Sequence, residues 1–186
     1  SKYLSVALDK AERLEDLINE FFEITRFNLS QIDLELSRVN LTRMLEQILF
    51  EFQPILAENN LEINLECPDD LVMKLDGNKM ERVFDNLIRN AIHYSFENTS
   101  INIEVKVEYQ QVTLCFRNHG NTIPKDKLER IFEQFFRLDP SRGTKTGGSG
   151  LGLAIARQLV ETHQGTIQAF SEDEIIEFCV TLPIGN

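Results

Sequence analysis

The sequence predicts an α+β fold: a two-layer α/β sandwich, one mixed sheet with helices on one face, preceded by a long coiled-coil-like helix. Three observations carry this. Apolar residues step forward by three or four from Tyr3 to Phe27, the period of an amphipathic helix. Two alternating runs, 101–109 and 112–116, are separated only by Gln110 and Gln111, as in a hairpin. Strand-like and helix-like segments are interspersed along the rest of the chain, the pattern of a sheet covered by helices.

The leading helix places Leu4, Leu8, Ala11, Leu14, Ile18, Phe21 and Ile24 on one seam at heptad spacing, with no Gly or Pro before Pro54, and is expected to reach about Ser30. Such a seam needs a partner helix or the chain's own globular part. Asn40 is an N-cap candidate for a second helix running through Leu41, Leu45, Ile48, Leu49, Phe52 and Leu56 to about Asn59. Alternation of Leu61, Ile63 and Leu65 reads as a half-buried strand. A short strand over Val72 to Leu75 and a helix from about Asn78 to Tyr94 follow. After the hairpin, the stretch from Asn118 to Ser149 is loop-rich; a helix from about Gly150 to Thr162 then precedes strands near Thr166 to Phe170 and Ile175 to Leu182.

Composition narrows the function classes. With 42% hydrophobic and 26% charged residues among 186, the chain is that of a folded protein. A net charge of -11 repels nucleic acid overall, so no nucleic-acid partner is expected. No apolar run approaches the roughly 18 residues that cross a bilayer. The chain opens at Ser1 in mid-pattern, which suggests a piece of something longer. Cys67, Cys115 and Cys179 lie far apart and are expected to be buried structural thiols in a reducing compartment. No pairing of Cys or His at short spacing suggests a metal site.

Four segments carry chemistry. On the third helix, Met80, Val83, Phe84, Leu87, Ile88 and Ala91 share one face, and Asn86, Asn90 and His93 fall together at its edge. Asn is a poor helix former, so the stripe is either a solvated edge or a site. An amide oxygen can serve Mg2+ without adding negative charge beside a triphosphate. In Gly147-Gly-Ser-Gly-Leu-Gly-Leu153, glycines open an apolar helix whose N-terminus suits phosphate. A dinucleotide fingerprint would need Gly at Leu153, and a P-loop would need Lys after the glycines, whereas Lys145 precedes them. Asn118-His-Gly-Asn-Thr-Ile-Pro124 is a turn after a strand in which Gly120 can let backbone pass close to a flat ligand. Ile131-Phe-Glu-Gln-Phe-Phe-Arg137 ends in an arginine whose fork fits phosphate oxygens.

In this order and spacing the segments resemble the N, G1, F and G2 boxes of the catalytic, ATP-binding domain of bacterial sensor histidine kinases. These belong to the wider superfamily that includes gyrase and Hsp90. The resemblance covers about Val39 to Pro183 and implies the Bergerat-type ATP-binding fold over 39–186. It makes 1–38 the second helix of a dimerization and phosphotransfer domain, without the phospho-acceptor histidine. The G1 segment with Ile-Pro-Lys-Asp-Lys-Leu128 looks most like the vancomycin-resistance sensor kinases of the VanS type.

The resemblance implies ATP and Mg2+ as cofactors and assigns roles residue by residue. Asn90 matches the Mg2+ ligand, while Asn86, His93 and Tyr94 match positions that contact phosphate, ribose or adenine. Asn118, Gly120, Thr122 and Ile123 fall on the adenine pocket, and Phe132, Phe136 and Arg137 on the F box. Lys145, Gly148, Gly150, Leu151, Gly152 and Leu153 fall on the phosphate side, and Leu138 to Thr146 on an ATP lid, whose composition fits a loop that orders on nucleotide. Asn86 stands where hydrolytic members carry a water-activating Glu. An amide takes no proton, so the chemistry expected is phosphoryl transfer, with Asn86, Asn90 and Arg137 as its catalytic residues.

The implied partners are a first dimerization helix bearing the acceptor histidine, a response regulator and, in the full-length protein, a second copy of the chain. The implied location is the cytoplasmic side of the bacterial membrane, with this piece itself soluble. His93, His119 and His163 all lie inside the ATP-binding region, so this chain is expected to bind Mg-ATP without phosphorylating itself. A serine kinase of the anti-sigma type, disfavoured by the leading helix, and a non-catalytic nucleotide-responsive dimerization module are the competing readings.

Two departures stand out: the family's adenine-binding Asp is Asn118 here, and its second G1 glycine is Thr122. An amide oxygen accepts the adenine amino hydrogen bond without charge assistance, a loss of up to about 1 to 2 kcal/mol. Asn118→Asp is therefore expected to tighten ATP binding in a titration; unchanged or weaker affinity would overturn the expectation.

Overall fold

A computed structural model describes residues 2–29, 32–138 and 150–184. The chain divides into two compact units, 1–33 and 34–186. In the first, a single helix, α1, spans Lys2–Leu29, as the heptad spacing predicts. Leu4, Leu8, Leu14, Ile18 and Phe21 of its seam are exposed.

The second unit begins with a strand that has no counterpart in the sequence reading. β1 (Ser37–Asn40) pairs antiparallel with β3 (Val72–Leu75) in a separate two-stranded sheet. Ser-Arg-Val-Asn shows no alternation long enough to announce a strand, and its pairing is decided by a segment more than thirty residues away. The Asn40 side chain caps α2 (Leu41–Glu58) by accepting from the Arg43 N–H at 3.0 Å. β2 (Glu62–Glu66) lies parallel to β4 (Ser100–Glu108), with α3 (Gly77–Tyr94) in the connection between them. β4 turns into β5 (Gln111–His119) through Tyr109 and Gln110, both at positive φ, the backbone that a two-residue hairpin requires.

Short 3-10 turns at Lys125–Lys127 and Arg130–Phe132 follow. α4 (Gly152–Thr162) then leads to a second hairpin of β6 (Thr166–Glu172) and β7 (Ile175–Pro183). The main sheet runs β2-β4-β5-β7-β6.

Period-two alternation decides which face is covered. Ile101, Ile103 and Val105 of β4, Val112, Leu114 and Phe116 of β5, and Ile176, Phe178, Val180 and Leu182 of β7 are buried. Over them lie Met80, Val83, Phe84, Leu87, Ile88 and Ala91 of α3, all at most 2% exposed, with Phe84 stacked on Phe116 at 6.0 Å. The opposite face carries cross-strand pairs, Arg117 with Glu177 at 2.6 Å and Thr113 with Thr181 at 3.3 Å.

That face also holds the cysteines, which corrects the expectation of buried thiols. Cys115 and Cys179 are paired across β5 and β7 and joined by a disulfide. Both take the half-exposed phase of their strands, so the same alternation that buries Phe116 and Phe178 turns them outward. The β5–β7 adjacency that makes them neighbours is a topological fact with no local signal. Only Cys67 is free, half-buried, with burial raising its thiol pKa. Cys115, Cys179 and Glu177 lie close together, but the sulfurs are spent on each other and Glu177 on Arg117. The group therefore offers no seat for a hard cation.

The start of α3 is fastened by one buried residue. The Asp76 carboxylate caps the helix by accepting from the Lys79 N–H at 3.1 Å, and also accepts from the Glu35 N–H at 2.9 Å and the Lys79 ammonium at 2.7 Å. Its own N–H donates to Nε2 of buried His163 at 3.1 Å, while Nδ1 of that ring donates to the Leu159 carbonyl at 2.7 Å. Since the Asp76 N–H can only donate and the Leu159 carbonyl only accept, His163 must be the neutral Nδ1-protonated tautomer.

Burial pushes the Asp76 carboxyl upward, but the hydrogen bonds from Lys79 and Glu35 outweigh it and hold the group below its ordinary range. A carboxylate depressed in the folded state contributes stability above its unfolded pKa of about 3.9 and loses it as pH falls through the folded value. In urea titrations from pH 7 down to pH 2, Asp76→Ala is expected to cost about 2 kcal/mol at neutral pH. The gap from wild type should close at the acid end; a gap independent of pH would refute the carboxylate's role.

Candidate functional site

The C-terminal half of α3 supplies the first wall. Its apolar face is consumed by the sheet, which leaves Asn86 and Asn90 half-buried at the margin and His93 exposed beyond them. The Asn86 amide donates to the Gly152 carbonyl at 3.1 Å. Gly152 in turn leaves a Cβ-sized space against the Asn86 side chain, at 3.5 Å. Asn86 thus fastens the first residue of α4 to α3. Leu151 beside it is 2% exposed and points into the core, and Leu153 is half-buried. No acidic residue and no side-chain cap occupies the first turn of α4, so among the described residues no side chain closes its N–H groups to an anion. The Asn90 side chain makes no hydrogen bond among the described residues. The His93 and Tyr94 rings meet edge to face at 4.7 Å.

The second wall is the segment after β5. Asn118 lies on the core-facing side of that strand, across from Ile176, and is 1% exposed. Neither its amide nitrogen nor its amide oxygen has a partner. Unpaired buried amides are rare because each lost hydrogen bond costs about 1 to 3 kcal/mol. An unpaired donor and acceptor side by side is what the flat polar edge of a base would satisfy.

Gly120 permits a close approach of backbone to backbone. A Cβ there would run into the Tyr94 carbonyl oxygen, so its bareness lets the strand end pass under the end of α3. Thr122 accepts from the Glu174 N–H at 2.9 Å and so holds the β6–β7 turn. Ile123 is buried, with its N–H on the Ser171 hydroxyl at 2.9 Å. Ser171, which gave no signal in the sequence, also donates to the Ile175 carbonyl at 2.9 Å. It therefore anchors Ile123 from outside every motif.

The third wall is aromatic. Phe132 is buried edge-on to Phe178 at 6.0 Å and covered by Arg157 at 5.1 Å, and Arg130 lies over Phe136 at 4.6 Å. Gly150, at φ 80, packs on the Phe135–Phe136 backbone, where a Cβ would stand 2.9 Å from the Phe136 carbonyl oxygen. The Gly150 carbonyl accepts from the Phe135 N–H at 3.0 Å. The chain entering α4 and the chain leaving the F segment are thus clasped together. Arg137 is half-buried and makes no ion pair among the described residues. Lys145, Gly148 and most of the expected lid fall within 139–149, outside the described residues. A polar depression lined by Asn60, Glu62, Asn98, Thr99, Ser100 and His119 contains none of the sequence-predicted site residues.

The glycines make distinct demands. Gly120→Ala is expected to lower unfolding free energy by more than about 2 kcal/mol, since backbone must move to admit the methyl group. Gly152→Ala should change it by less than about 0.5 kcal/mol, because 3.5 Å is an ordinary contact. Equal costs in parallel urea titrations would contradict this geometry.

Comparison with known proteins identifies the family. Residues 75–186 match the family described as histidine kinase-, DNA gyrase B- and HSP90-like ATPase. The chain is 48% identical over 183 residues to the sensor protein VanSC of Enterococcus gallinarum, covering 98% of this chain and 50% of that protein. It is 46% identical over 183 residues to the sensor protein VanS of Enterococcus faecium, covering 98% and 47%. It therefore spans about half the length of these curated relatives. The nucleotide-free catalytic domain of histidine kinase ThkA superposes with a TM-score of 0.70 at 29% identity, covering 81% of this chain and 96% of that one. ThkA has also been solved in complex with response regulator protein TrrA. With the site and the matched span coinciding, the chain belongs to the family of histidine kinase-, DNA gyrase B- and HSP90-like ATPases.

Proposed function

We propose that this chain is the catalytic part of a sensor histidine kinase of the VanS type, one of the vancomycin-resistance sensors. In this reading it binds Mg-ATP and transfers the γ-phosphoryl group to a histidine of its parent chain, for relay to an aspartate of a response regulator. The observation that carries the nucleotide is Asn118, a fully buried amide with both polar atoms unpaired. The 48% identity to VanSC supports the subtype, and the ThkA–TrrA complex supports a response regulator as partner.

Each wall has a task. Asn118 takes the base, with Ile123 as apolar floor and Tyr94 and His93 toward the sugar. Gly150, Leu151, Gly152 and Leu153 carry the chain into α4, whose open N–H groups face phosphate; Lys145 and Gly148 extend that side, and Phe132 and Phe136 seat Arg137 for the γ-phosphate. Thr122 acts at one remove by fixing the β6–β7 turn. The residues fit Mg2+: Asn90 offers a neutral, unengaged oxygen beside an anion site, the kind of single protein ligand Mg2+ takes when phosphates complete its shell. The ion would neutralise phosphate charge. Asn86, already committed to the Gly152 carbonyl, positions α4 and removes no proton, which favours transfer over hydrolysis.

The acceptor histidine would come from a first dimerization helix beside α1, in a homodimer on the cytoplasmic side of the bacterial membrane. Among the described residues no helix is long and apolar enough to cross one.

The test mixes the chain, radiolabelled ATP and Mg2+ with a separate helical fragment carrying a histidine followed by an acidic residue. Acid-labile label is expected on the fragment and not on the chain, with Asn90→Ala slowing transfer about a hundredfold. No transfer at saturating Mg-ATP would favour a non-catalytic module, and stoichiometric label on the chain alone would refute the missing acceptor.

A further inference from the structure

The unpaired amide of Asn118 says more than that a base binds. A carboxylate at this position is acceptor-only at neutral pH and pairs with a purine bearing an amino group at position 6. An amide is two-faced. Its oxygen can accept from a 6-amino group while its NH2 donates to ring N1; turned by 180°, its NH2 donates to a 6-oxo group while its oxygen accepts from N1–H. Both edges are matched by two hydrogen bonds.

What normally fixes an amide is the network around it. Here nothing does. Neither atom of the side chain holds a partner, so no hydrogen bond is broken by turning it, and the terminal torsion of Asn has two broad wells rather than three sharp ones. The surroundings are neutral toward the choice: Ile176 stands across the strand at 2% exposed, and Phe116, two residues back on the same face, is 1% exposed. In such a site the penalty already present is relieved by whichever edge enters.

Resting on the nucleotide reading above, we propose that Asn118 makes the base pocket tolerant at the purine 6-position, so that the site takes 6-oxopurine nucleoside triphosphates as well as ATP. The test is displacement of fluorescent trinitrophenyl-ATP from the whole chain, in Mg2+, by ATP and by ITP, which presents the 6-oxo edge without guanine's additional amino group. ITP is expected to compete within about tenfold of ATP in the wild type. In Asn118→Asp, where the 6-oxo group would face a second acceptor, the preference for ATP should widen beyond about a hundredfold.

The inference is overturned if ATP competes and wild-type ITP is more than a hundredfold weaker, or if a folded Asn118→Asp leaves the ratio unchanged. Near-UV circular dichroism reports folding of the variant; should it not fold, the wild-type ratio alone decides. If neither ATP nor the fluorescent analogue binds, the nucleotide reading falls and this inference falls with it, an outcome distinct from selective loss of ITP.

Discussion

The architecture of the site depends on one steric constraint: the end of β5 must pass beneath the end of α3 with no side chain between them. At Gly120 a Cβ would overlap the Tyr94 carbonyl oxygen. The Phe96 N–H on the His119 carbonyl at 2.8 Å and the Gly120 N–H on the Glu174 carbonyl at 2.9 Å tie the crossing on both sides. Because helix and strand meet there, Asn118 is carried under α3 and out of reach of water. Asn90 and Asn86 lie one and two turns back along the helix, and Asn86 stands over the start of α4 with its amide on the Gly152 carbonyl. The opposite end of α3 is held as firmly, since Asp76 connects its cap to Glu35, Lys79 and His163. A helix fixed at both ends makes a rigid rail from which the amides project, and a rigid support is what preorganised binding needs.

The parts of this arrangement that were legible in the sequence are those whose cause is local. The apolar face of α3 is a matter of period, and Asn40 caps α2 because its short amide is next to the helix it caps. The first hairpin follows from runs separated by two residues, although its turn uses Tyr109 and Gln110 rather than Gln110 and Gln111; the second was legible only as two strands, because β6 runs two residues further, to Glu172, than its alternation announces. The N, G1, F and G2 segments could be singled out because each is contiguous. What stayed hidden is relational. β1 exists because β3 passes beside it, Cys115 meets Cys179 because β5 and β7 are adjacent, and Ser171 supports Ile123 from β6. None of these leaves a pattern in its own neighbourhood.

Asn118 lies between the two cases. Its identity and its departure from the family's aspartate were readable, but its burial without any partner was not, and the burial changes the chemistry. In water an amide is a weaker acceptor than a carboxylate and little else. Enclosed and unpaired, it carries a standing penalty that a base edge removes. The same enclosure makes a carboxylate here more expensive before any nucleotide arrives, since an unpaired buried charge costs more than an unpaired dipole. The amide is thus the gentler solution for the empty fold.

That preference for neutral groups also resolves how a chain of net charge -11 could hold a polyphosphate. Several of the acidic residues are engaged away from the walls: Asp76 inside the cap of α3, Glu177 on Arg117 across the open sheet face, Glu129 and Glu161 on Arg157. The described walls present Asn86, Asn90 and Asn118, bare backbone at Gly152, and Arg137 without an acidic partner among the described residues. Long-range repulsion is screened within about 8 Å at physiological ionic strength. What decides binding is then the first few ångströms, where the described walls offer N–H groups, amides and a guanidinium.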